Sequence, residues 1–114
     1  MSNAQDIRQI EITVEELKKL VDRKTLLQKL ESNREFRKII LDGYFKDEAA
    51  RLVAISADPA HEKSWDSIRK EIEAISCLRQ YLRNIHTIGG VAERELAENT
   101  EALEELRAHE GEDA

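Results

Sequence analysis

The stretch from Asp58 to Gly90 constrains this chain more than any other. It opens on Asp58-Pro59 and closes on Gly89-Gly90. Between them Trp65, Ile68, Ile72, Ile75, Leu78, Leu82 and Ile85 recur at steps of three or four. That spacing places all seven side chains on one stripe of a single long helix. Asp58 is a good N-cap, and Pro59 at the first helical position gives up no needed donor. Gly89-Gly90 is expected to end the helix and to act as the hinge of a helical hairpin.

The segments before and after are expected to cover that stripe. Met1 to Glu11 reads as a loose or extended lead-in. Thr13 followed by Glu16 forms a capping box, with Ile12 and Leu17 at the staple positions. The helix it starts carries Leu17, Leu20, Val21, Leu27 and Leu30, and Lys24 interrupts the stripe as a snorkelling side chain. Ser32-Asn33-Arg34-Glu35 repeats the capping pattern and suggests a break near Ser32, the alternative being one longer helix that runs through it. A short second helix follows, with Phe36, Ile39, Ile40 and Leu41 on its apolar face. Asp42-Gly43 predicts its end, with Gly43 in the left-handed conformation. A third helix is expected from about Lys46 to Ser56, where the small Ala49-Ala50 pair would allow close approach. Trp65 is expected to pack against Phe36, Tyr44 or Phe45.

After the hinge a last helix is expected over about Val91 to His109. Its seam is Val91, Leu96, Leu103 and Leu106, with Asn99 on it. A lone Asn in a seam can fix register and oligomer number, though an Asn facing water needs no such role. Gly111 to Ala114 is expected to fray. The fold class expected is all-α: a long antiparallel helical hairpin with shorter N-terminal helices packed at one end, forming a single domain over residues 1–110.

Composition bears on what such a fold can do. Aromatic residues are 4% of the 114 and charged residues 37%, which suits narrow helical seams better than a thick core. A core that small favours sharing a seam between chains. The net charge is −6. Val91 to Ala114 holds nine acidic and two basic residues, a net of −7, which leaves +1 for Met1 to Gly90. An acidic end is ordinarily just solvated, and its sharper reading is an electrostatic handle for a basic partner.

Site chemistry is sparse. His61, His86 and His109 are dispersed and show no HExxH spacing, so no metal site is expected. Cys77 is the one cysteine, which excludes an intrachain disulfide and fits a reducing, cytoplasmic setting. It has no histidine nearby in sequence and reads as a small helical residue. Acidic pairs such as Glu71 and Glu73 read as solvated charges, and most carboxylates have basic neighbours at helical spacing, such as Glu15 with Lys19 or Asp66 with Lys70. No cofactor is expected, since Gly89-Gly90 reads as a turn rather than a phosphate cradle. Arg34, Arg37 and Lys38 form one basic cluster, and Arg69, Lys70, Arg79 and Arg83 another. The interleaved acids and the acidic C-terminal segment disfavour nucleic acid as a partner. No apolar run approaches the length of a membrane span.

The run from Glu35 through Phe36, Gly43, Tyr44, Phe45 and Ala49-Ala50 to Val53 resembles a segment of small helical proteins of tailed bacteriophages, hypothetical or virion-associated. The similarity extends loosely to Ala57-Asp58-Pro59 and to the acidic helical tail, about half the chain. It implies a helical accessory of phage assembly or infection, in the virion or the host cytoplasm, with a protein as its partner. It carries no catalytic motif and no functional residues. The expected function is therefore a non-enzymatic interaction or structural protein, a homo-oligomer or a helix that docks in a larger assembly. Its expected interaction residues are Trp65, Ile68, Ile72, Ile75, Leu82, Leu96, Asn99, Leu103 and Leu106. The alternative is an effector that binds a host protein, using the acidic C-terminal arm.

Overall fold

A computed structural model describes residues 3–113, with side chains through His109. Every element in that span is helical and none is a strand. The elements are α1 (Asn3–Glu31), α2 (Arg34–Phe36), a π-helical segment (Arg37–Glu48), α3 (Ala49–Ser56), a 3-10 segment (Pro59–Ser64) and α4 (Trp65–Asp113). The chain divides into two compact units. The terminal unit comprises Met1–Leu26 and Ile85–Ala114, and the central unit Leu27–Asn84.

Two expected boundaries hold, and local hydrogen bonds explain both. At the end of α1 the Ser32 N–H donates to the Gln28 carbonyl at 3.1 Å, and the Asn33 N–H to that of Leu30 at 3.0 Å. The Asn33 carboxamide oxygen then accepts from the Phe36 N–H at 2.9 Å and caps α2. At the second boundary the Asp58 carboxylate accepts from the Ala60 N–H at 3.0 Å, with Pro59 next to it. The first turns there are wound as a 3-10 helix, and α winding begins at Trp65.

Three expected boundaries do not exist. The lead-in is helical from Asn3, while Met1 and Ser2 lie outside the described residues. Thr13 therefore sits inside α1 rather than at a cap. Its hydroxyl donates back to the Gln9 carbonyl at 3.1 Å, as a mid-helix threonine does. Ile12, expected at a staple, is 41% exposed. At Gly43 the helical run continues with wider winding, and neither it nor any other described glycine has positive φ. At Gly89-Gly90 there is no hinge, because α4 runs unbroken from Trp65 to Asp113. Of the frayed end expected over Gly111 to Ala114, the backbone is helical as far as Asp113, and Ala114 lies outside the described residues.

In the terminal unit Val14 and Leu17 of α1 are buried, as are Ile85, Ala92 and Leu103 of α4. The glycines explain how α1 and α4 approach. A Cβ on Gly89 would lie 2.5 Å from the Lys24 Cβ and 3.0 Å or less from its Cγ and Cδ. The Lys24 stem thus occupies the place of a side chain at position 89. Its ammonium reaches both carboxylate oxygens of Glu93, at 3.0 and 3.2 Å. Arg107 meets Glu11 at 3.5 Å in the same unit. Lys24 interrupts the apolar stripe, as the sequence suggests, yet its methylenes are part of the packing.

In the central unit Leu52, Ile68 and Ile75 form the buried cluster. Tyr44, Phe45, Ala49, Ile55, Trp65 and Ile72 pack against it. Trp65, Tyr44 and Phe45 thus pack on the same buried cluster, in which Phe36 has no part. Tyr44 and Phe45 themselves tilt at 42° with ring centroids 5.9 Å apart. Leu52, 1% exposed, is the most completely buried large side chain, worth about 1.5–3 kcal/mol in transfer from water.

Candidate functional site

The central unit holds an open groove of about 580 Å³. Ile40, Tyr44, Leu52, Ala74 and Ile75 give it an apolar lining, and Ile39 stands beside them. Ile39 is 66% exposed, an unusual position for a large aliphatic side chain next to an apolar concavity. Glu48, Arg51 and Glu71 add the charged part of the wall.

The π winding is what brings this lining together. At about 100° per residue, nine α-helical steps end half a turn out of phase, so Ile39 and Glu48 would face opposite ways. With i→i+5 bonding a turn takes about 4.4 residues, and nine steps close about two turns. Ile39, Gly43, Tyr44 and Glu48 then share a face, which is where the groove has them. Gly43 lies within that winding, midway along the segment. A Cβ there would press to 3.0 Å on the Lys38 carbonyl oxygen, five residues back. The expectation that Gly43 ends a helix fails, because the wide helix continues through it to Glu48.

Charge on the groove wall is partly neutralised. The Arg51 guanidinium donates through Nε to a Glu48 carboxylate oxygen at 3.1 Å and through an Nη to the other. That hydrogen bond lowers the Glu48 carboxyl from its ordinary value, with desolvation opposing it and the Arg51 charge adding a lesser contribution in the same direction as the hydrogen bond. Arg51 is shifted upward by the same hydrogen bond and charge, and Glu71 contributes in the same direction. Glu71 forms no ion pair among the described residues, although its charge also favours the protonated Arg51. No group of histidine, cysteine and carboxylate side chains suited to a metal ion occurs among the described residues. Cys77 is exposed on α4. No helix among the described residues is long and apolar enough to cross a membrane.

The interaction residues expected from sequence are largely used inside the chain. Ile68 and Ile75 are core residues of the central unit, with Trp65 and Ile72 packed on them. Trp65 buries its indole N–H without a hydrogen-bond partner, as a packing residue rather than a polar anchor. Leu103 is buried in the terminal unit, and Leu82, Leu96 and Leu106 are half-buried. Asn99 is half-buried and donates to the Glu95 carbonyl of its own helix at 2.7 Å. Of the nine, Ile75 alone lines the groove. Sequence reasoning missed Gly43, Glu48, Arg51, Glu71 and Ala74 as groove residues. The available signal was the spacing of Ile39, Tyr44 and Glu48 at steps of five and four, which a search at 3.6 passes over.

Comparison with known proteins adds no relative: no family model matches the chain, and neither a curated protein nor a solved structure matches it.

Proposed function

We propose that this chain is a non-enzymatic helical interaction protein that receives an amphipathic helix of a partner protein in the groove of its central unit. The observation that carries this reading is the groove itself. It is open, its lining is mainly apolar, and its lip is an exposed isoleucine. Helix-in-groove recognition uses such a surface, with apolar anchors from the guest at i, i+3 or i+4, and i+7. Glu71 would meet a basic residue next to those anchors. In the terminal unit, contacts of opposed order, Glu11 with Arg107 and Lys24 with Glu93, support an antiparallel helical pairing. A phage particle or its assembly intermediate is the setting proposed for the partner, on the resemblance of residues 35–53 alone.

A designed amphipathic helix with leucines at i, i+4 and i+7 and flanking lysines is the probe. Amide resonances of Gly43, Ala74 and Ile75 are expected to shift on titration. Ile39→Asp, at an exposed position, should weaken binding about tenfold, which is the loss of an anchor contact of about 1.4 kcal/mol. Absence of shifts at millimolar peptide, or equal affinity for wild type and Ile39→Asp, would overturn the proposal.

A further inference from the structure

A second surface of the central unit lies outside the apolar groove. Ser32, Arg34, Arg37, Lys38 and Asp42 line a concavity of about 420 Å³. All five are exposed. Three cations face one carboxylate there, a local excess of two positive charges on a chain whose net charge is −6. None of Arg34, Arg37 and Lys38 forms an ion pair with another described residue. Charges of one sign kept together without counter-charge are costly unless solvent or a partner supplies it.

The complementary surface is on the same chain. Glu98, Glu101 and Glu105 recur on α4 at steps of three and four, so they share one stripe of that helix. All three are exposed, and none forms an ion pair among the described residues. Arg94 begins the same stripe, and the stripe remains net negative with it included. Neighbouring acids behave differently, since Glu93 is taken by Lys24 and Glu11 by Arg107.

We infer that the basic concavity of one copy receives the acidic stripe of a second copy. The occupant is a second copy because charge complementarity is available within this sequence, and each surface lacks ion-pair partners among the described residues of its own unit. The two patches differ, so the contact is heterologous, and such contacts propagate into rings or open chains. Repulsion between two copies of net charge −6 opposes association, so the contact is weak and tightens in proportion as local attraction exceeds the long-range term. This surface is separate from the apolar groove, and the inference does not depend on what the groove binds.

Light scattering across a concentration series at two ionic strengths tests it. Association is expected to weaken about tenfold between about 0.05 and about 0.5 M salt, because exposed pairs are screened. Arg37→Glu with Lys38→Glu should leave the protein monomeric, as should Glu98→Lys with Glu101→Lys and Glu105→Lys. An equimolar mixture of the two variants should associate again, since each reversed patch then meets its complement. The neutral pair Arg37→Gln with Lys38→Gln, checked by circular dichroism, covers the case of a reversed variant that does not fold. A monomer at every concentration in low salt overturns the inference. So does association that survives either reversal, which would assign self-association to another surface, such as the one bearing Ile39. Recovery in the mixture alone, with both single variants monomeric, is the supporting result.

Discussion

The terminal and central units solve the same problem in opposite ways. In the terminal unit Gly89 removes a side chain so that the Lys24 stem can lie against the backbone of α4. The Lys24 stem fills that point of the seam, and the glycine costs about 1 kcal/mol of helix propensity relative to alanine. In the central unit the helix is widened, and Gly43 accommodates a carbonyl five residues back. The face so formed is left open as a groove. Neither glycine has positive φ, so neither is there to turn the chain. What they share is a missing Cβ, used once to let an α1 side chain in and once to fit a helix of unusual pitch. An interior glycine in an all-helical chain is therefore informative about neighbours as well as about punctuation.

That contrast can be broken by mutation, beginning with the core that supports the groove. Leu52→Ala should cost about 2–5 kcal/mol in urea unfolding, because the side chain is 1% exposed and the space it leaves cannot collapse freely. A loss below about 1 kcal/mol would mean that the central cluster is loosely packed. Gly89→Ala comes next. Its Cβ would meet the Lys24 Cβ, which cannot swing away as a side-chain tip can, so a loss of about 1–3 kcal/mol is expected despite the gain in propensity. Gly90→Ala provides the control one residue on, where the nearest atom is the Lys24 Nζ at 4.0 Å. It should stabilise by about 0.5–1 kcal/mol. Equal effects at the two positions would show that α1 does not approach α4 at Gly89.

The smallest effects concern charge. Lys24→Met keeps most of the stem and removes the ion pair with Glu93, so it should cost less than about 1 kcal/mol, and less than Lys24→Ala. Glu48 supplies a pH test for the groove. Its hydrogen bond from Arg51 lowers its folded pKa below the unfolded value. Its contribution to stability is thus full above the unfolded pKa and is lost as pH falls through the folded one. Carbon-detected NMR titration should place the Glu48 midpoint below the usual glutamate range, and Arg51→Gln should return it there.

Much of the helical outline was legible in the sequence, for reasons local to a few residues. Asn33 and Asp58 cap helices because their side-chain oxygens reach N–H groups two or three residues away. The stripe of Trp65, Ile68, Ile72 and Ile75 is buried or half-buried, as its spacing requires. Thr13 shows the limit of such reasoning. It has the neighbours of a cap, yet the helix had already begun ten residues earlier, and its hydroxyl bonds backward instead. The groove was illegible because 3.6 periodicity assumes α winding. Ile39 and Glu48 cannot share a face on that assumption.

By itself the sequence determined the all-helical class and the start at Asp58 and suggested the break near Ser32, because caps and apolar spacing act over a single turn. Tertiary structure alone decided that Gly89 lies inside a helix, since the atoms that fill its empty place belong to Lys24, 65 positions away in the chain. Only the structure, too, shows that residues 37–48 wind widely, with Tyr44 and Phe45 of that segment packed on Leu52, Ile68 and Ile75. Glycine and winding respond to the space that neighbours leave, and that space is not written in any one segment.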